Sequence, residues 1–168
     1  KNSLAATNAF KMKLTSEDEL EGLPDFVKDM GASTAEENGQ EGWTFDLSAP
    51  SYSAFMQYSS RRDLREKPYM AYNCKATEGE FDNTEICRKI VDLRTKIANI
   101  LGYNTFADYV TEDRMVGSAQ NVYDFLGKLL EPSLPAAKKE VQDVFEYAKA
   151  NGFEADELMP WDFSYWSE

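Results

Sequence analysis

Histidine is absent from all 168 residues of this chain. Without an imidazole, these residues alone make no Ser-His-Asp triad, no Cys-His pair, no histidine general base and no His-ligated zinc. Cysteine is scarce. Cys74 and Cys87 are too few for a disulfide scaffold, and the expectation is buried thiols rather than a bridge. No run of about 18 apolar residues occurs, so no transmembrane helix is expected. Neither a glycine-rich phosphate loop nor EF-hand spacing is present. Positive charge is in deficit: 18 Lys and Arg stand against 30 Asp and Glu, a formal net charge of −12. That balance argues against general binding to nucleic-acid phosphates or anionic lipid.

What is there suffices for a core. Hydrophobic residues make up 42% and aromatics 13%, which excludes disorder over the whole length and fits one domain or part of a larger one. The strongest periodic signal lies in residues 83–101. Ile86, Ile90, Leu93, Ile97 and Leu101 recur at helical spacing, with Arg88, Lys89, Asp92 and Lys96 off the stripe. Asn83 is placed to cap its start and Gly102 to end it in a left-handed conformation. This helix is expected to be the one on which the smaller elements before it pack.

The remaining pattern is also helical. Helices are expected over 2–14, 24–38, just after Pro50, 61–75 with an interruption at Pro68, 106–114, from Ser118 onward, and from Pro160. A capping box at Thr15 with Asp18 or Glu19 precedes a short turn. Gly31 with Ser33 and Thr34 weakens the second helix, and Pro132 and Pro135 either bend the long later one or open a new one. Asn151-Gly152 marks a stop. Only 43–48, WTFDLS, alternates with period two; it reads as a strand, with a partner outside these residues. The fold class is therefore all-α, with at most a short strand or hairpin near 43–48.

Few residues suggest chemistry. Asp18-Glu19 and Glu36-Glu37 read as solvated surface. Arg61, Arg62, Arg65 and Lys67 offer an anion contact, against the commoner reading of a helix face balancing nearby acids. The segment 160–166, PWDFSYW, either lines a peptide groove or packs helix to helix, and packing is the favoured reading.

Several separated motifs nevertheless agree in order and spacing: LSAPSY, RRDLRE, GEFDNTEICRKIVDLRTKIANILGYNTFADYV, EDRMV, FLGKLLEPSLPAAKKE and LMPWDFSYW. Together, over roughly 25–168, they resemble the middle of a zinc metallopeptidase of the thimet oligopeptidase and peptidyl-dipeptidase family. The resemblance implies a two-lobed helical peptidase whose channel admits short peptides. It also implies a zinc held by a His-Glu-x-x-His helix and a more distant Glu, on polypeptide C-terminal to the part matched. No residue here can take over a zinc-ligand, base or histidine role.

The expectation is one helical fragment, 1–168, of a longer parent chain. It lacks an initiator Met, stops amid aromatics, contains no catalytic, cofactor or metal residue, and serves as scaffold and channel wall. Zinc and short peptide substrates belong to the parent. The partner is the remainder of that chain, with no nucleic acid and no membrane, and with pairing of two copies through exposed faces a further option. The competing reading is an acidic, non-catalytic helical interaction module. Compartment stays open between cytoplasm and periplasm.

Overall fold

The computed structural model describes Lys1–Glu168 throughout. It is mainly helical, with eight α-helices and one two-stranded sheet. The chain divides into two compact units, the first made of 1–83 and 143–168 and the second of 84–142.

The first unit opens with α1, Asn2–Ala9, followed by β1, Lys11–Leu14. The single helix expected over 2–14 thus stops at Phe10, whose backbone is extended. The reason is visible in KMKL. Lys11 and Lys13 face out while Met12 and Leu14 are buried, the period-two pattern of a half-buried strand. β1 pairs antiparallel with β2, Trp43–Asp46, in the register Lys11 to Asp46, Met12 to Phe45, Lys13 to Thr44 and Leu14 to Trp43. The partner sought outside these residues therefore lies within them. An ion pair of 2.8 Å between Lys11 and Asp46 sits directly across the ladder.

Between the strands, a 3-10 turn at Glu17–Leu20 is capped by Glu19. Its carboxylate accepts from the backbone N–H groups of Thr15 at 2.9 Å and Ser16 at 3.1 Å. The cap residue is Ser16, one later than expected. α2 then runs unbroken over Asp25–Glu37, with Pro24 as its cap. Gly31 does not break it. It lets the helix approach β2, because a Cβ there would stand 2.8 Å from the Phe45 ring. α3, Ala49–Tyr58, and α4, Arg62–Asn73, follow. Pro68 sits inside α4 without ending it; the N–H bond forgone to Leu64 is set against burial of the Pro68 ring. The core gathers Met12, Leu14, Leu23, Val27, Phe45 and Phe55 among its members, with the Phe45 and Phe55 rings 4.8 Å apart.

In the second unit, α5, Thr84–Ile100, forms where expected. Gly102, at φ +90°, ends it, and Tyr103 N–H returns to the Ala98 carbonyl at 2.9 Å. Thr105 caps α6, Phe106–Glu112, by accepting from Asp108 N–H. Arg94 lies over the Phe106 ring at 5.3 Å, and Tyr103 donates to Glu112. α7, Ala119–Ala150, passes through Pro132 and Pro135 as one helix, so neither opens a new one. Ser118 Oγ accepts from Asn121 N–H at its start. The smaller elements before α5, expected to pack on it, build a core among themselves within the first unit. Of residues 84–142 only Ala98 is buried, whereas the first unit holds the core. α8, Pro160–Trp166, opens at its proline as expected and packs on α3 and α4.

Candidate functional site

Proline at the first position and an acid at the third make a strong helix start, and Pro160 and Asp162 supply both. Asp162 Oδ2 accepts from the Met159 N–H at 3.0 Å, which holds Met159 extended and points the carboxylate at the first turn of α8. The same carboxylate receives two arginines from α4. Arg62 Nε lies 3.0 Å from each of its oxygens, and the Arg62 and Arg65 Nη2 atoms approach at 2.9 Å. Asp162 has 0% of its surface exposed and Arg65 2%.

Arg65 is used from every side. Nε donates to the Trp161 carbonyl at 2.9 Å, Nη1 to the Ser59 carbonyl at 2.7 Å, and Nη2 to Asp162. Its guanidinium lies over the Tyr165 ring at 4.4 Å, and that of Arg62 over Phe153 at 5.3 Å. Burial draws the Arg65 pKa down, against the opposing pull of Asp162. For Arg62 the hydrogen bonds to Asp162 come first, and its pKa is raised. Both groups stay cationic, since a guanidinium does not deprotonate in proteins.

The arrangement ties α4 to α8. Asp162 is shut off from solvent with both oxygens bonded, and neither arginine can act as a base. A hollow of about 350 Å³ beside it is lined by Ser60, Arg62, Arg65, Phe153 and Trp166 among others, and its guanidiniums are already committed to Asp162.

Arg61, expected in one basic face with these two, instead pairs with Asp63 at 2.8 Å. Lys67, Asp18, Glu36 and Glu37 are exposed. The aromatics of 160–166 serve packing: Trp161 meets Tyr69 of α4 at 5.8 Å, and Trp166 meets Phe153, in the loop between α7 and α8, at 5.8 Å. Cys74 and Cys87 are free and both exposed, so the expectation of buried thiols fails; Cys74 is the cap that ends α4, and Cys87 lies on the open surface of α5. Asp162 was not legible as a partner of Arg62 and Arg65, because it is 100 and 97 residues away. Its place after Pro160 announces a cap and nothing more. No three Cys, Asp or Glu side chains gather as a metal would require, and the chain has no histidine. The donor set here does not fit a zinc ion.

The family model of peptidase family M3 matches residues 55–168, a stretch that includes α4 and α8. The chain belongs to peptidase family M3. Oligopeptidase A of Haemophilus influenzae is 36% identical over 172 residues, covering 99% of this chain and 25% of the relative. Oligopeptidase A of Escherichia coli is 35% identical over 172 residues, with the same coverage of 99% and 25%. The organellar (chloroplastic/mitochondrial) oligopeptidase A of Arabidopsis thaliana is 36% identical over 175 residues, 99% of this chain and 22% of the relative. The chain thus spans about a quarter of the length of these curated relatives.

Proposed function

We propose that these residues are an internal part of a zinc-dependent oligopeptidase that hydrolyses short peptides, and that they supply scaffold and channel wall rather than reacting groups. The observation that carries this reading is the near-complete alignment of the chain with a quarter of each oligopeptidase A. It is joined by the absence of histidine from the sequence, which leaves no His-Glu-x-x-His ligand set among these residues. In the parent, zinc would polarise the scissile carbonyl and activate water. What the present residues contribute is rigidity: the Asp162 tie fixes α8 against α4, and the β1–β2 core fixes α2 and α3.

The reading is tested on the full-length parent. Removal of metal by a chelator is expected to abolish cleavage of a short fluorogenic peptide, and added zinc to restore it. Full activity after metal removal would overturn the assignment, as would a parent coding sequence without a His-Glu-x-x-His motif.

A further inference from the structure

The second unit buries almost nothing. Among residues 84–142 only Ala98 is buried, while α5 exposes Ile90, Leu93 and Ile97 and α7 exposes Leu126, Leu129 and Leu130. Helix nucleation is costly, and most helical stability in proteins comes from packing an apolar face. An apolar face of this extent on a folded protein marks an interaction surface. We infer that the apolar stripes of α5 and α7 are docking surfaces for the remaining polypeptide of the parent peptidase. This rests on the proposed function above and adds where the join is made.

Two observations select that occupant over a second copy. The relatives are about four times as long as the stretch aligned here, so ample polypeptide is available in the same molecule. A tethered partner acts at an effective concentration in the millimolar range, which a free copy does not reach. The net charge of −12 also opposes self-association. The first unit needs no such cover for its own core, whose members Leu14, Val27, Phe45 and Phe55 are already sealed.

Photo-cross-linking in the full-length parent tests this. A benzoylphenylalanine is placed at Leu93 or at Leu129, and the adducts are mapped by mass spectrometry on a fraction holding one copy. Adducts are expected on residues outside the 168 described here. Adducts confined to these 168 residues, cross-linking found only in a two-copy fraction, or none above an exposed control at Lys67 would each overturn the inference. If the parent cleaves peptides yet gives such a result, this inference fails alone. If no longer polypeptide is made, it fails together with the proposed function.

Discussion

At the scale of single residues, the carboxylate of Asp162 has the most to lose. It caps α8 and neutralises Arg65 in a place that water does not reach. Removing one member of a buried pair strands the other, a loss of about 3–5 kcal/mol. Asp162→Ala is expected to lower unfolding free energy by that amount in urea titration. Arg62→Ala should cost about 1 kcal/mol, because its side chain remains partly in water. Equal losses from the two would refute this ranking. Asp46 offers a milder, pH-dependent case. Burial pushes its carboxyl upward, but hydrogen bonds from Lys11 and Ser48 outweigh that and hold its pKa below the usual value. A depressed pKa stabilises the fold above the unfolded carboxylate value, and that contribution is lost as pH falls through the folded one. Asp46→Asn should therefore cost less than about 1 kcal/mol at neutral pH and flatten the acid limb of the stability curve.

At the scale of elements, close approach of α2 to β2 depends on a missing side chain. Gly31→Ala gains helix propensity of up to about 1 kcal/mol, yet drives a methyl to 2.8 Å from the Phe45 ring. Overpacking of this kind costs about 1–3 kcal/mol, so net destabilisation is expected in thermal melts. A rise in Tm would show that Phe45 can move aside.

The same element shows what sequence can and cannot reveal. Caps and stops were legible at Asn151-Gly152, Gly102, Ser118 and Pro160 because they are local: one residue's conformation or side chain sets them. β1 was missed because Lys11–Leu14 is four residues long, too short for its alternation to outweigh the helical residues before it. Gly31 was misread as a weak point, since the Phe45 ring that explains it lies on another element. Pro68 was expected to interrupt its helix, and Pro132 and Pro135 to bend theirs or open a new one; each sits within a continuous helix, so neither the interruption nor the new start occurs. The Arg62–Asp162–Arg65 tie escaped for a different reason: long-range pairing leaves no periodic trace.

At the scale of the whole molecule, burial is unevenly shared. One unit holds a sealed core and the charged tie; the other presents amphipathic helices with a single buried residue. That imbalance fits a part of a larger peptidase better than a free-standing module, which would be expected to cover its own stripes. No helix is long and apolar enough to cross a membrane. The family was legible in the sequence through several spaced motifs, whereas the core's location was not, because amphipathicity reports that a face is to be covered and not what covers it.

The most direct measurement compares peptide hydrolysis by the full-length parent with that by these 168 residues, both supplied with zinc and a short fluorogenic peptide. Turnover by the parent and none by the 168 residues is expected. Zinc-dependent turnover by the 168 residues alone would contradict a scaffold role.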